Sequence, residues 1–195
     1  MLLLVIGLVT FFAIHLLPAN QDLRDGLVKR LGYRTYMLFF ACFSLGSFAL
    51  IVIGYHKLQL HPGKNPLLWT APEWTRHLAL AAMLVAFILL TAAYVPSHIR
   101  NWLRHPMLIA LLIWGSVHLI VNGDLGSLAL FGSFIVYALY GLVSAGAGGA
   151  TGPLGNRQPG SILNDIAVVL MGAAAYYVFV KWGHPALIGV TVLPG

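Results

Sequence analysis

Long apolar runs, separated by short polar segments, dominate the chain. Six runs approach the roughly 20 residues that a helix needs to cross a bilayer: Leu2–Leu17, Tyr36–Tyr55, Leu78–Val95, Met107–Val121, Leu125–Ala145 and Ile162–Val180. None alternates apolar and polar positions as a half-buried strand does, and unpaired backbone groups are too costly in hydrocarbon. The pattern predicts an all-α, polytopic membrane helix bundle with about six transmembrane helices. We expect residues 1–195 to form a single integral membrane domain.

Composition excludes a soluble globular protein. Charged residues make up 8% of the chain, against roughly 25% in soluble domains, which is too few for a water-facing surface. The net charge is +6, but the basic residues stand singly or in pairs, so we expect no nucleic acid as a partner. One cysteine, Cys42, excludes an internal disulfide and the covalent attachment of a c-type haem.

The distribution of basic residues predicts the topology. With six crossings, segments 18–35, 96–106 and 146–161 share one side and carry seven basic residues, whereas the other side carries four. By the positive-inside rule the first side is cytoplasmic and both termini lie outside. The first run has no basic residue before it and no small-x-small site after it, which favours a retained helix over a secretory signal. The Gly- and Pro-rich segment 146–160 is predicted to be a loop.

His118 is the histidine whose position points most directly to a function. Trp114, Gly115, His118 and Asn122 recur at helical spacing and therefore share one face of the fourth predicted helix. An ionisable side chain within a crossing is costly unless it faces the bundle interior, so His118 is a candidate functional residue. The alternative is a neutral imidazole that is hydrogen-bonded to a neighbouring helix. Gly115 would let a flat ring approach the backbone, or would serve helix packing.

Other histidines are sorted by their positions. His15 is embedded in the first apolar run, His77 opens the third predicted helix, and His105 precedes Pro106 at a helix start. The remaining four are typical of wet interfacial positions: His56, His61, His98 and His184. With no carboxylate in a helix centre, a proton relay and a hydrolase are unsupported. Imidazoles in an apolar bundle suit haem iron, whereas zinc usually needs more ligands.

Several short motifs, taken together, resemble the NnrU family of bacterial membrane proteins over roughly residues 1–145. They are His15-Leu-Leu-Pro18-Ala-Asn, Arg24, Gly32-Tyr33-Arg34, Gly54-Tyr55, Arg76-His77-Leu78, Arg104-His105-Pro106, Trp114 with His118, and Asn122-Gly123-Asp124. The resemblance implies a protein of the bacterial inner (cytoplasmic) membrane that is associated with nitrite and nitric oxide metabolism.

The same resemblance extends to plant zeta-carotene isomerase, which carries a non-covalent b-type haem. Matching its motifs implies that His15 and His118 bind the iron, with Trp114 and Gly115 beside them. The isomerase has a cysteine three residues before its second histidine, where this chain has Gly115. A ligand exchange at that position therefore does not carry over.

Depth along the helices favours other pairs. If the fourth helix starts at the cytoplasmic side, His118 lies roughly 18 Å across the membrane at about 1.5 Å per residue, whereas His15 lies near the cytoplasmic end of the first helix. Two imidazole nitrogens on one iron must lie about 4 Å apart, at about 2 Å from the metal each. Depth instead pairs His118 with His77 and makes His105 a neighbour of His15. Both pairings of His118, with His15 and with His77, therefore stay open.

Three functional hypotheses follow. The first is a haem b membrane protein that performs redox-linked or isomerisation chemistry on a hydrophobic or small gaseous substrate. The second is a non-catalytic accessory protein that assists a denitrification enzyme as its partner. The third is a small transporter, which the lack of acidic residues in the crossings disfavours.

Overall fold

The computed structural model describes residues 1–19, 21–148 and 160–192, which fold into α-helices joined by short turns, with no β-strand in these ranges. The helices are α1 (Leu2–Leu16), α2 (Gln21–Leu31), α3 (Tyr33–Gln59), α4 (Trp74–Ala92), α5 (His98–Leu103), α6 (Pro106–Val121), α7 (Leu125–Gly148), α8 (Ile162–Val178) and α9 (His184–Ile188). A π-helical turn at Phe179–Gly183 joins α8 to α9. The predicted all-α fold is confirmed.

The apolar helices are of the membrane type. Four segments in the described ranges are long and apolar enough to cross a bilayer: Tyr33–Gln59, Trp74–Ala92, Leu125–Ala145 and Ile162–Ile188. The helices α1 and α6 are also apolar but have only 15 and 16 residues. At about 1.5 Å per residue they reach about 22–24 Å, less than the roughly 30 Å of the hydrocarbon core. The membrane-type bundle is confirmed, and the number of six crossings stays a prediction.

Large apolar side chains cover the outer surfaces of these helices. Leu45 of α3 exposes 70% of its area and Leu163 of α8 exposes 77%. Continuous exposed apolar surface of this kind would promote aggregation in water. In a bilayer the same surface faces lipid tails, so the helices suit a hydrocarbon environment.

The chain divides into two compact units. The first comprises Met1–Pro66 with Asp124–Leu130, and the second comprises Leu67–Gly123 with Phe131–Gly195. The prediction of one integral membrane domain over 1–195 stays a prediction.

In the first unit, α1 packs closely against α3. Leu4 is fully buried, and Leu8 and Ile51 are nearly so. A Cβ atom at Gly7 would lie 2.8 Å from the backbone nitrogen of Ile51, and one at Gly54 would lie 2.5 Å from that of Leu4. The two glycines therefore permit the close approach of the helix backbones, as small residues do in membrane proteins.

In the second unit, α4 packs against both α6 and α8. Ala86 and Leu89 of α4 form a buried cluster with Ala110 of α6. On α8, Gly172 is required for close packing, because a Cβ atom there would lie 2.6 Å from the Cα atom of Ile88. Small residues at helix contacts in membrane proteins permit such close packing.

The segment 18–35, treated as a connecting loop in the sequence, contains helix α2. Its sequence favours a helix because Asp22 lies in the first turn and Lys29 and Arg30 lie in the last, where each charge complements the helix dipole. The helix ends at Gly32, whose φ of 80° is accessible to glycine without strain. The polarity of this segment excluded a crossing but did not exclude a helix.

Helix boundaries also differ from the apolar runs. Helix α3 extends to Gln59, beyond the predicted end at Tyr55, and α5 lies within the predicted 96–106 loop. Ser97 begins α5 by accepting a hydrogen bond from the backbone N–H of Arg100 at 3.1 Å, a typical N-cap. The predicted loop 146–160 lies mostly outside the described residues, and its first three positions continue α7.

Candidate functional site

His118 lies one turn from the end of α6 and is held by its own helix. Its Nδ1 atom lies 2.9 Å from the carbonyl oxygen of Trp114, one turn earlier. A carbonyl oxygen can only accept, so Nδ1 carries the proton and donates. This bond fixes the tautomer and leaves Nε2 with its lone pair, as in histidines that bind metals.

Aromatic rings surround the half-buried imidazole of His118. The ring of Phe131, from α7, lies 5.0 Å away between centroids, and that of Trp114 lies 5.5 Å away. Trp114 in turn contacts Phe131 at 5.0 Å and Phe134 at 5.3 Å in edge-to-face geometry. The imidazole therefore faces α7 within an aromatic cluster, which we call the His118 cluster: Trp114, His118, Phe131 and Phe134.

His15 repeats this arrangement in the other unit. Its Nδ1 atom donates to the carbonyl oxygen of Phe11 at 2.7 Å, and the Phe11 ring stacks on the imidazole with centroids 3.9 Å apart. Phe40 of α3 lies 5.4 Å from the same imidazole. Both histidines named by the family resemblance thus have an aromatic residue four positions earlier and a free Nε2 lone pair.

The hydrogen bond alone does not identify a functional histidine. His61, which follows α3, makes the same bond from Nδ1 to the carbonyl oxygen of Lys57 at 2.8 Å, yet it is exposed. What distinguishes His15 and His118 is the aromatic environment that neighbouring helices supply. His61 therefore provides a control with the same local geometry.

Gly115 serves helix packing in this structure. A Cβ atom at Gly115 would lie 2.9 Å from the Cγ1 atom of Ile135 and 3.2 Å from the carbonyl oxygen of Phe131, both in α7. The space beside Gly115 is thus filled by α7. These contacts support the packing role of Gly115, and its role beside a flat ring stays a prediction.

His105 caps the start of α6, as Pro106 at the first helical position predicted. The residue before it, Arg104, has a φ of 63° and is the only non-glycine residue with positive φ in the described ranges. The N–H of His105 donates to the carbonyl oxygen of Leu103 at 2.7 Å, which closes a γ-turn of the rare, strained kind. The Arg-His-Pro motif thus forms a strained turn between α5 and α6.

His105 and His77 differ in environment from the two cluster histidines. Partial burial, followed by the charge of Arg104, lowers the pKa of His105 below its usual value, which favours the neutral imidazole. His77 lies exposed in the first turn of α4. His77, His105 and His118 belong to the second unit, whereas His15 belongs to the first.

A polar network around Asp124 was not predicted from the sequence. The Asp124 carboxylate accepts hydrogen bonds from the Ser127 backbone at 2.9 Å and hydroxyl at 2.7 Å, and from Asn65 at 2.8 Å. Gln59 donates to it at 3.3 Å, and the Tyr55 hydroxyl lies 2.9 Å from that of Ser127. Burial raises the pKa of Asp124, but these hydrogen bonds outweigh it and hold the pKa below its usual value.

The Asp124 network brings together two of the family motifs, Gly54-Tyr55 and Asn122-Gly123-Asp124. An Asp immediately before an apolar run is a recognisable N-cap signal, but its partners Gln59 and Asn65 are far away in sequence. Local patterns could therefore have identified the cap and not the network.

His98 also has a partner that the sequence did not indicate. Its Nδ1 atom lies 2.7 Å from the Asp165 carboxylate of α8, which also accepts the backbone N–H of His98 at 2.8 Å. His98 remains exposed, with 61% of its side-chain area accessible, in accord with its predicted interfacial position. The pair links the start of α5 to the start of α8.

Within residues 1–19, 21–148 and 160–192, no group of three or more His, Cys, Asp or Glu side chains is arranged to hold a metal ion. A site in which protein side chains supply most ligands, as for structural zinc, is not formed there. A haem iron requires only one or two axial protein ligands, because the porphyrin supplies the others. The donor chemistry of the His118 cluster is compatible with that requirement.

Comparison with known proteins gives one match. The family model described as NnrU protein matches residues 3–192 of the chain, which is nearly its whole length. No curated protein and no solved structure shows significant similarity to the chain.

Proposed function

The chain belongs to the NnrU family, and from this premise we propose that it is a membrane protein that binds a b-type haem through His118. The observation that carries the proposal is the geometry of this imidazole. Its Nδ1 proton is engaged by the Trp114 carbonyl oxygen, and its ring lies among the aromatic side chains of α6 and α7. The Nε2 lone pair is the donor that axial ligation of haem iron uses.

The environment of His118 supports a flat, apolar ligand. Phe131 and Phe134 are buried apolar aromatics, and the Trp114 ring contacts both. Apolar surroundings and the hydrogen bond to the axial histidine are the means by which a protein tunes a haem. When bound, the haem would supply a redox-active iron for redox-linked or isomerisation chemistry on a hydrophobic or small gaseous substrate.

A second axial ligand is expected from among the remaining candidate histidines. His15 has the same protonation pattern as His118 and an aromatic ring stacked on its imidazole, and the family resemblance favours it. His77 is the candidate favoured by predicted depth, and the lowered pKa of His105 favours the neutral imidazole that a ligand requires. Substitution of each histidine separately will identify the second ligand.

The family resemblance favours the bacterial inner membrane, and the positive-inside rule supports an orientation for the protein in it. The segment that contains α2 carries Arg24, Lys29, Arg30 and Arg34 and is assigned to the cytoplasmic side. Both termini then lie outside. A reporter that works only in the cytoplasm can be fused to residue 195. Activity of that reporter would contradict this topology.

Absorption spectroscopy of the detergent-purified protein tests the haem proposal. Expressed with ample haem, the wild type should show a Soret band and reversible changes on oxidation and reduction. His118→Ala should lose the band or shift it, and added imidazole should restore it by replacing the missing ligand. His61→Ala is the matched control, because it removes the same type of hydrogen bond at an exposed site and should leave the spectrum unchanged.

Two results would overturn the proposal. One is a folded wild type, helical by circular dichroism, that takes up no haem. The other is an unchanged spectrum in His118→Ala. The accessory role beside a denitrification enzyme would then be the surviving hypothesis, and it predicts co-purification of a reductase subunit that persists without His118.

A further inference from the structure

Two adjoining cavities in the second unit lie on either side of one connecting segment. The segment Trp69–Pro72, between α3 and α4, forms a wall of both. The larger cavity, of about 480 Å³, is completed by Leu119 and Ile120 of α6 and Ile135 of α7. The smaller cavity, of about 260 Å³, is completed by Thr75 and Arg76 at the start of α4.

Hydrogen bonds hold this segment against the end of α6. The N–H groups of Leu68 and Trp69 donate to the carbonyl oxygen of Gly123 at 2.6 and 3.1 Å, and the Trp69 indole N–H donates to that of Ile120 at 3.3 Å. A Cβ atom at Gly123 would overlap the Trp69 carbonyl oxygen, so glycine is required there. The cavities are therefore bounded by fixed backbone.

The two cavities differ in chemistry. Aliphatic side chains from α6 and α7 line the larger one, which makes it suited to a hydrocarbon chain. The smaller one contains the exposed Arg76 side chain, and no ion pair within the described ranges engages its guanidinium. Glu73 lies one turn earlier, and its backbone carbonyl oxygen accepts a hydrogen bond from the backbone N–H of Arg76 at 3.2 Å. An exposed guanidinium that forms no ion pair with the protein is a good partner for a phosphate.

Indole rings place this region at the membrane border. Trp74, which opens α4, exposes 63% of its area, and Trp69 is half-buried in the wall between the cavities. Tryptophan is enriched at the level of lipid headgroups. An apolar cavity that adjoins a basic one at this level matches the two ends of an amphiphile.

We propose that the Trp69–Pro72 segment and Arg76 form a binding site for an anionic phospholipid of the bilayer. One acyl chain occupies the larger cavity, and the headgroup phosphate pairs with Arg76 in the smaller one. The site uses neither His118 nor haem, so its failure and the failure of the proposed function are distinguishable.

Quenching of Trp69 fluorescence by brominated lipids tests this site. The protein is placed in zwitterionic phosphatidylcholine nanodiscs that contain either brominated phosphatidylglycerol or brominated phosphatidylcholine. The contribution of Trp69 is the difference between the wild type and Trp69→Phe. We expect phosphatidylglycerol to quench Trp69 at several-fold lower lipid fraction than phosphatidylcholine, and inorganic phosphate alone not to displace it.

Matched variants separate the specific site from general attraction of anionic lipid. Arg76→Gln should weaken the phosphatidylglycerol effect about five- to tenfold, since one basic residue or charge-assisted hydrogen bond contributes about that much. Lys64→Gln removes the same charge from the segment before α4, outside both cavities, and should have little effect. Ser116→Leu, which fills the larger cavity from α6, should reduce quenching by both lipids.

Three results would overturn the proposal. They are equal quenching by the two lipids in the wild type, equal weakening by Arg76→Gln and Lys64→Gln, and displacement by inorganic phosphate, which would indicate a free-anion site. The comparison of the two lipids needs only the wild type and its Trp69→Phe reference, so the proposal remains testable if Arg76→Gln does not fold.

Discussion

Substitution of Gly54 by alanine is the sharpest test of the contact between α1 and α3. The added methyl group would lie 2.5 Å from the backbone nitrogen and 2.9 Å from the Cα atom of Leu4. Both are backbone atoms, so no change of side-chain rotamer can relieve the overlap. Helix α1 must move away from α3, and the fully buried Leu4 then loses contacts.

The expected cost follows from two opposing effects. Overpacking of a tightly packed contact costs about 1–3 kcal/mol, whereas alanine gains up to about 1 kcal/mol over glycine in a helix. Gly54→Ala should therefore lower the free energy of unfolding by up to about 2 kcal/mol. Gly46 lies in the same helix with no neighbour within 4 Å of the added methyl, so Gly46→Ala should raise it by about 0.5–1 kcal/mol.

The two variants are compared by thermal unfolding in the same detergent, followed by circular dichroism of the helices. Because both variants replace glycine with alanine in one helix, the gain in helix propensity is the same for both. The difference between their free energies of unfolding, about 1–3 kcal/mol, therefore reports the contact with Leu4. Gly7→Ala, which meets the backbone of Ile51 at 2.8 Å, should behave like Gly54→Ala. If Gly54→Ala unfolds at the same temperature as Gly46→Ala or above it, the close approach of α1 to α3 is refuted.

Four further substitutions test other features of the fold. Gly172→Ala, which meets the Cα atom of Ile88 at 2.6 Å, should lower the free energy of unfolding by up to about 2 kcal/mol after the gain in helix propensity, and a more stable variant would contradict the packing of α8 on α4. The pKa of Asp124 is lowered in the folded protein, so its carboxylate should stabilise the fold fully above pH about 4, the unfolded-state pKa. This stabilisation should disappear as the pH falls through the lower pKa of the folded state. Asp124→Asn should remove this pH dependence from an acid-unfolding curve. Arg104→Gly should raise the free energy of unfolding by about 1 kcal/mol or more by relieving the strain of the positive φ, and an unchanged or lower unfolding temperature would contradict this. Ser161→Ala should cost about 1 kcal/mol because the Asn164 N–H at the start of α8 loses its acceptor, and an unchanged unfolding temperature would argue against the cap.

Apolar runs predicted the membrane-type helices because burial in hydrocarbon requires both apolar side chains and internally paired backbone. They did not predict helix ends, which depend on single residues. Pro106 identified the start of α6 correctly, since its ring is compatible only with the first turn. Helix α2 was missed because its leucines, Leu23, Leu27 and Leu31, stand at four-residue spacing among charged residues and form no continuous apolar run.

Contacts between distant residues were beyond the reach of sequence patterns. Asp165 is near His98 only because α8 returns to the start of α5, and Asn65 meets Asp124 only because the segment after α3 returns to α7. Each pair is separated by about sixty residues or more. From the sequence, polar residues between apolar runs are expected to lie at the membrane interface, and only the fold shows that they are paired with one another.

The motif Asn122-Gly123-Asp124 illustrates how the candidate site depends on the turn between α6 and α7. The Asn122 side chain donates to the carbonyl oxygen of His118 at 2.8 Å, and the Gly123 carbonyl accepts from Trp69. Asp124 caps α7 through Ser127. Each consecutive residue thus fixes a different element, so a change here should disturb the position of α7.

The position of α7 decides what surrounds His118. Trp114 is supplied by the same helix and was visible in the sequence, but Phe131 comes from α7 and approaches the imidazole only after the turn is made. His61 shares the local hydrogen bond of His118 without any such partner. The environment of His118 therefore rests on tertiary packing. If His118 binds haem as proposed, disruption of the turn at Asn122 should alter the haem absorption spectrum while the hydrogen bond to Trp114 remains.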